Sequence, residues 1–112
     1  MAPSATITVL YPNSASDTTF DMQYYVNQHM PLAMKIWGPA GLRGWQVTAF
    51  ETDPATSQSY CTGSVFTWDD AAAANRALAM REAAALFEDI PNFTNVTPLV
   101  MIGQVTDSWT GH

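Results

Sequence analysis

Positive charge is scarce in this sequence. Its 112 residues include only 4 lysines and arginines against 10 aspartates and glutamates, which gives a formal net charge of −6. Binding to nucleic acid or to an anionic membrane surface depends on basic side chains that neutralise phosphates. The composition therefore argues against both kinds of partner, and we expect a neutral or weakly polar ligand.

Cysteine is equally scarce, because Cys61 is the only one. A single cysteine excludes an internal disulfide, and neither Cys61 nor the 2 histidines fall in a spacing typical of metal ligands. We interpret Cys61 as a half-buried strand thiol and expect no metal site.

Segments for export, membrane insertion and phosphate binding are also missing. The sequence begins without a positive segment leading into an apolar stretch, and no apolar run is long enough to span a bilayer. We therefore expect a cytoplasmic protein that does not enter membranes. No glycine-rich phosphate loop, dinucleotide fingerprint or nucleophile elbow occurs, so we also expect no bound cofactor.

Apolar residues, by contrast, make up 47% of the chain. This content supports one hydrophobic core, and residues 1–112 are interpreted as a single domain. A chain this short leaves much of its surface in water, so its apolar content favours a patch that a second subunit covers.

The first part of the sequence predicts a strand and the start of a helix. Apolar residues alternate with threonine over 6–11, which indicates a strand. Asp21 is placed to cap a helix that begins at about Met22, and Phe20 with Tyr25 is placed as a hydrophobic staple.

Pro31 is predicted to interrupt this helix. Proline has no amide hydrogen for the preceding turn and disfavours helical geometry in the residue before it. We therefore expect the helix to break or kink near His29 and to resume up to Trp37.

The second part of the sequence predicts a hairpin and a last strand. Residues 43–52 and 58–68 are rich in strand formers and flank a turn-forming cluster at 53–57. Alternating apolar residues over 96–105 indicate the final strand.

A second helix is predicted between the hairpin and the last strand. Asp69 or Asp70 opens it, and Pro91 ends it. Apolar residues at steps of four and three predict one buried stripe on this helix, made of Ala73, Ala77, Met80, Ala84 and Phe87.

The resulting order βαββαβ predicts an α+β, ferredoxin-like fold. In this plan two helices cover one face of a four-stranded antiparallel sheet. The other face is left bare, and the first and last strands carry apolar residues on it as well. We expect a second sheet, from another copy of the chain, to cover that face.

His29 is the most prominent candidate for chemistry. It lies at the expected helix break, and Tyr25 lies four residues earlier on the same helix face. Imidazole titrates near neutral pH, and a phenol can orient it or polarise a carbonyl, so the two residues form a candidate acid–base pair. The structural alternative is a histidine that caps the helix or bonds a buried backbone group.

Several short motifs, taken together and in this order, resemble the signature of the EthD family. They are Phe20-Asp21, Tyr24-Tyr25, His29-Met30-Pro31-Leu32, Gly38-Pro39-Ala40-Gly41-Leu42 and Asn92-Phe93-Thr94-Asn95 with Pro98. The resemblance covers nearly the whole chain. It implies a dimeric α+β barrel, in which two ferredoxin-like sheets pack face to face.

The resemblance also implies site residues. The histidine of the family motif falls on His29, and its paired tyrosines fall on Tyr24 and Tyr25. Because neighbouring helical residues point about 100° apart, we assign chemistry to Tyr25 and ligand lining to Tyr24. Trp45 and Phe93 are further candidates for the wall of a ligand pocket, although aromatic residues in a small domain also serve as plain core.

These residues predict a cofactor-independent enzyme that acts on a small apolar carbonyl or phenolic compound in an enclosed pocket of a homodimer. Its reaction class would be that of a lyase, isomerase or monooxygenase, with His29 as general acid or base and Tyr25 as hydrogen-bond partner. One alternative is a non-catalytic protein that holds a hydrophobic ligand for an oxygenase system. A lower-ranked alternative is a barrel that binds haem through His29.

Overall fold

The computed structural model describes residues 3–13, 17–51 and 59–111. Its strands confirm the predicted fold class, because they form one four-stranded antiparallel sheet in the order β2-β3-β1-β4. These strands are β1 (Ala5–Pro12), β2 (Leu42–Ala49), β3 (Tyr60–Trp68) and β4 (Leu99–Gln104). The turn expected at 53–57 lies outside the described residues.

Strand β1 lies inside the sheet and supplies the centre of the core. Ile7, Val9 and Tyr11 are at most 9% exposed and face the helices. Ile7 lies opposite Phe66 in β3 and Ile102 in β4, so apolar side chains from three neighbouring strands meet on this face. This buried face forms one wall of the candidate site.

The first helical region begins as predicted. Helix α1 (Met22–Tyr24) is capped by Asp21, whose carboxylate accepts a hydrogen bond from the Tyr24 amide at 3.0 Å. The rings of Phe20 and Tyr25 lie 5.1 Å apart between centroids. Both the predicted cap and the predicted staple are therefore confirmed.

The predicted interruption near His29 takes the form of a π-turn, and the chain stays helical through it. A π-turn (Tyr25–His29) follows α1, and helix α2 (Met30–Trp37) follows the π-turn. The amide of Met30 donates to the carbonyl of Tyr25, five residues earlier. This wider turn accommodates one extra residue just before Pro31, so the helix passes the proline without ending.

The second helical region begins at Asp70, which caps helix α3 (Ala71–Ala79) by accepting a hydrogen bond from the Ala73 amide at 2.8 Å. Beyond α3 the predicted single helix is wrong. Met80 is extended, with φ −68° and ψ 145°. The chain then continues as a 3-10 turn (Arg81–Ala83), helix α4 (Ala84–Glu88) and a second 3-10 turn (Ile90–Asn92).

The extended residue Met80 also changes which side chains are buried. Ala73 and Ala77 are buried as predicted, but Ala84 and Phe87 are exposed. Past Met80 the buried positions are Ala83 and Leu86, because one non-helical residue rotates the following turns out of phase. Within the described ranges, no helix is long and apolar enough to cross a membrane.

Two loops, 17–21 and 92–95, are tied together by hydrogen bonds. The Asp21 amide donates to the carbonyl of Phe93 at 2.7 Å. The Asn95 side chain accepts from the Thr19 amide and donates to the carbonyl of Asp17, each at 2.9 Å. This loop clasp fixes the start of the first helical region against the end of the second, and it gives the asparagine-rich motif near the end of the chain a structural role.

Removing the side chain that bridges the loop clasp should destabilise the fold. Asn95→Ala deletes two hydrogen bonds that contribute about 0.5–1.5 kcal/mol each, so we expect the free energy of unfolding to fall by about 1–3 kcal/mol. Asn75→Ala is the matched control, since among the residues that the structure describes the Asn75 side chain bonds its own helix, at the Ala71 carbonyl. Alanine favours a helix, so the control should be neutral or slightly stabilising. If urea denaturation showed equal losses of unfolding free energy for the two variants, the stabilising role of the loop clasp would be contradicted.

Candidate functional site

His29 is the last residue of the π-turn and is only 6% exposed. Its Nδ1 atom lies 2.9 Å from Oδ2 of Asp89, the residue that follows α4. A neutral imidazole that donates its Nδ1 hydrogen to a carboxylate presents Nε2 as an acceptor. The pair therefore has the arrangement of a histidine base oriented by an aspartate.

Asp89 is held by further donors. The Tyr24 hydroxyl donates to Oδ1 at 2.7 Å, and the Asn92 amide donates to the same oxygen at 2.9 Å. Sequence reasoning missed Asp89, which lies 60 residues from its partner. The available signal was an acidic residue three positions before the Asn92-Phe93 motif.

The pKa values of the pair follow from burial and hydrogen bonding. Burial lowers the pKa of His29, and the neighbouring Asp89 carboxylate opposes that shift only in part. Burial alone would raise the pKa of Asp89, but hydrogen bonds from Asn92, Tyr24 and His29 together hold it below its usual value. At neutral pH the pair is therefore a neutral imidazole beside a carboxylate.

Tyr25 lies against His29 through its ring. The two rings are stacked, with centroids 5.1 Å apart and planes 14° from parallel, while the Tyr25 hydroxyl is hydrogen-bonded to Ser64. The structure thus brings the predicted pair together, but with the phenol oxygen directed to β3 and not to the imidazole. Sequence reasoning missed Ser64, although a polar residue at an inward-facing strand position was a usable signal.

His29 and Tyr25 line a small cavity of about 30 Å³ between the sheet and the helices. That volume holds a group about the size of a water molecule. Apart from His29, Tyr11, Tyr25 and Trp37, its lining side chains are apolar, and they include Val9, Leu86 and Ile90.

A larger, open cleft of about 470 Å³ adjoins this cavity. The two spaces share Phe87, Ile90, Pro98 and Val100 as lining residues. The cleft lies between the end of the second helical region and β4, on the described surface. An apolar ligand larger than the cavity could place its body there and one small group next to His29.

Of the remaining predicted residues, Phe93 and Tyr24 lie next to the site and Trp45 does not. Phe93 is buried and packs edge-on against His29 at 4.8 Å between centroids. Tyr24 stacks on Phe93 at 6.2 Å and reaches the site through its bond to Asp89. Trp45 instead lines a separate surface cleft with Met34, so the structure does not bring it to His29.

No group of three or more histidine, cysteine or acidic side chains in 3–13, 17–51 and 59–111 is arranged to hold a metal ion. Cys61 is half-buried, and its thiol lies 3.6 Å from the carbonyl oxygen of Tyr11. The chemistry available at the site is therefore that of the imidazole, the carboxylate and the phenols.

Fold and site together define a ferredoxin-like α+β protein with an aspartate–histidine pair at an apolar cavity. Comparison with solved structures supports the fold. An EthD-like protein from Ralstonia eutropha JMP134 superposes with a TM-score of 0.80 at 22% identity, covering 98% of this chain and 98% of its own. The fold of this chain is thus that of an EthD-like protein.

Two further structures share the fold. SnoaB, a cofactor-independent oxygenase from Streptomyces nogalater, has a TM-score of 0.64 at 13% identity and covers 96% of this chain and 97% of its own. A dimeric ferredoxin-like protein of unknown function from Jannaschia sp. CCS1 has a TM-score of 0.63 at 15% identity, and it covers 91% of this chain and 99% of its own. No family model and no curated protein matches the chain.

Acidification should destabilise the protein through the His29–Asp89 pair. The folded pKa of His29 lies below its ordinary value of 6.5, so the unfolded chain takes up the proton first as the pH falls. The stability that comes from neutral His29 is complete above pH 6.5 and is lost below it, toward the folded pKa. The lowered pKa of Asp89 extends the loss below its ordinary value of 3.8.

We expect the urea concentration at the midpoint of unfolding to decrease when the pH is lowered from about 7.5 to about 5.5. The His29→Gln variant should show a smaller decrease over the same range. Glutamine does not titrate, so the difference in slope measures the histidine. The other histidine, His112, is present in both proteins and cancels. Identical slopes for the two proteins would show that His29 is not buried as a neutral ring.

Proposed function

We propose that this chain is a member of the EthD family and acts in the cytoplasm as a cofactor-independent enzyme on a small apolar carbonyl or phenolic compound. The observation that supports this proposal is the pair of His29 and Asp89, in which Asp89 bonds the imidazole and His29 lines a mostly apolar cavity. A titratable group with a shifted pKa, an oriented partner and a mostly apolar cavity is the usual combination at a catalytic site.

The proposed chemistry is proton transfer by Nε2 of His29. The neutral ring removes a proton from a carbon next to a carbonyl, the C–H electron pair forms an enolate, and the imidazolium returns the proton to the same or another atom. Asp89 stabilises the transient imidazolium without itself being protonated. Isomerisation, dehydration and cyclisation of ketones contain such a step, and decarboxylation contains its second half, in which an enolate formed by loss of carbon dioxide is protonated.

The fold supports a reaction without a cofactor, since SnoaB shares it and is described as a cofactor-independent oxygenase. That likeness concerns the fold, and function depends on the site. The mostly apolar lining also suits the alternative, a protein that binds a hydrophobic ligand without converting it.

The test uses acetophenone, an apolar ketone whose methyl protons exchange slowly in heavy water. We expect the protein to accelerate deuterium uptake into the methyl group, measured by mass spectrometry, and His29→Gln to lower the rate about 10²- to 10⁴-fold. Glutamine keeps a similar shape but cannot accept a proton at neutral pH. Asp89→Asn should lower the rate less, because the amide can still orient the ring.

Affinity for acetophenone separates the enzyme from the carrier. If the protein is an enzyme, His29→Gln should retain affinity for acetophenone and lose the accelerated deuterium exchange. Tyr25→Phe keeps the stacked ring and should change the affinity for acetophenone little, because the Tyr25 hydroxyl bonds Ser64. Equal exchange rates for the unaltered protein and His29→Gln would end the catalytic assignment. Binding without any accelerated exchange would favour the carrier.

We further propose that the enzyme is a homodimer whose sheets pack face to face. The sheet face away from the helices carries Leu99 and Met101, which are 48% and 44% exposed. The strand register places no charged residue on this face. Its residues are Thr6, Thr8, Leu10, Gly44, Gln46, Thr48, Gly63, Val65, Thr67, Leu99, Met101 and Gly103. A broad uncharged sheet face is typical of a protein interface.

A charge on this face should separate the subunits. We expect the unaltered protein to sediment at about twice the chain mass and Met101→Asp to sediment as a monomer, because a buried unpaired carboxylate opposes association. Met34→Asp is the matched control, since Met34 is 45% exposed but lies on α2. A monomeric unaltered protein, or equal effects of the two changes, would exclude this dimer.

A further inference from the structure

Three buried hydroxyl groups lie beside the cavity. The Tyr25 hydroxyl is hydrogen-bonded to Ser64, and the ring of Tyr11 packs edge-on against the ring of Tyr25, with centroids 5.6 Å apart. Ser64 is fully buried, and Tyr11 and Tyr25 are 2% and 1% exposed. Ser64 lies on β3 and Tyr11 lies on β1, and Tyr25 contacts both of them.

Tyr11 belongs to the same cavity as His29. Both residues line it, and the ring of Tyr25 contacts each of them, with centroids 5.6 Å from Tyr11 and 5.1 Å from His29. The cavity therefore has a phenol on the strand side and an imidazole on the helix side, with apolar side chains around them. Sequence reasoning treated Tyr11 only as a strand residue.

The Tyr11 hydroxyl supplies a hydrogen-bond donor at the wall of the cavity. A neutral hydroxyl has one hydrogen to donate, and the Tyr25 hydroxyl is bonded to Ser64. A carbonyl or enolate oxygen in the cavity accepts a hydrogen bond but offers none, so it is the kind of group that the Tyr11 phenol can bind.

Both phenols remain donors at working pH. Burial raises the pKa of Tyr11 well above its usual value. Burial also raises the pKa of Tyr25, although its bond to Ser64 lowers it in part. Neutral phenols in a water-poor cavity can stabilise a developing negative charge without carrying a charge themselves.

We propose that the Tyr11 hydroxyl binds the substrate oxygen and stabilises the enolate or phenolate that forms when His29 takes the proton. The inference rests on the proposed function and names its substrate class. That class is a compound with one carbonyl or phenol oxygen at the end of an apolar body. The oxygen lies in the small cavity at Tyr11, and the body extends into the open cleft past Phe87 and Pro98.

The test compares two ligands of nearly equal shape, acetophenone and α-methylstyrene, in which a methylene group replaces the carbonyl oxygen. We expect the unaltered protein to prefer acetophenone. Tyr11→Phe should weaken acetophenone binding about 2- to 12-fold, the equivalent of one hydrogen bond, and leave α-methylstyrene binding unchanged. Phe20→Leu is the control, because Phe20 packs on Tyr11 at 5.0 Å without donating to the cavity.

A second measurement can be made on the unaltered protein alone. The infrared stretch of ¹³C-labelled acetophenone should move to lower frequency when the ketone binds the unaltered protein, as expected for a carbonyl that accepts a phenol hydrogen. The shift should persist in Phe20→Leu and in His29→Gln. An unshifted carbonyl, or a preference for acetophenone that Tyr11→Phe leaves intact, would overturn the inference.

The two proposals fail in different ways. If His29→Gln abolishes deuterium exchange while Tyr11→Phe leaves the ligand preference intact, the base is supported and the role of Tyr11 is overturned. If the protein shows the ligand preference and the infrared shift but no accelerated exchange, the oxygen site is supported and catalysis is excluded. If neither ligand binds, the proposed substrate class is wrong.

Discussion

The bond between the Asp89 carboxylate and the His29 ring is the interaction on which the candidate site depends. It joins the π-turn to the end of α4 across 60 residues of sequence. Tyr24 and Asn92 bond the same carboxylate, so one anionic group organises both helical regions. Because the imidazole is neutral, the contact is a hydrogen bond to a charged group, and such bonds contribute about 1.5–3 kcal/mol.

The local features of the fold could be predicted from the sequence because each rests on a few adjacent residues. Alternation along β1 and the cap at Asp21 are decided by side-chain period and backbone chemistry. The order of these elements then restricts the topology to few choices. The sequence pattern predicts Asp69 or Asp70 as the capping residue of α3, and only the three-dimensional geometry selects Asp70.

The parts that could not be predicted depend on contacts between distant segments or on one residue leaving its expected conformation. Nothing near His29 in sequence points to Asp89, and nothing near Tyr25 points to Ser64, because the sheet and the helices bring these pairs together. Met80 has good helix propensity, yet it adopts an extended conformation. Propensity is a weak preference that tertiary packing overrides. The location of Trp45 could not be predicted for a similar reason, since residue type alone does not say which cleft a side chain lines.

The π-turn makes the first helical region sensitive to length but tolerant of substitution. Its outward residues Val26, Asn27 and Gln28 are exposed, so the identities of their side chains matter little to packing. A π-turn holds one residue more than the α-helix it interrupts. Deleting one of these three residues would restore a regular helix and change the spacing of Tyr25 and His29 along it from four residues to three. Natural or engineered relatives can therefore vary the side chains of Val26, Asn27 and Gln28, whereas the number of residues between Tyr25 and His29 is fixed by the site.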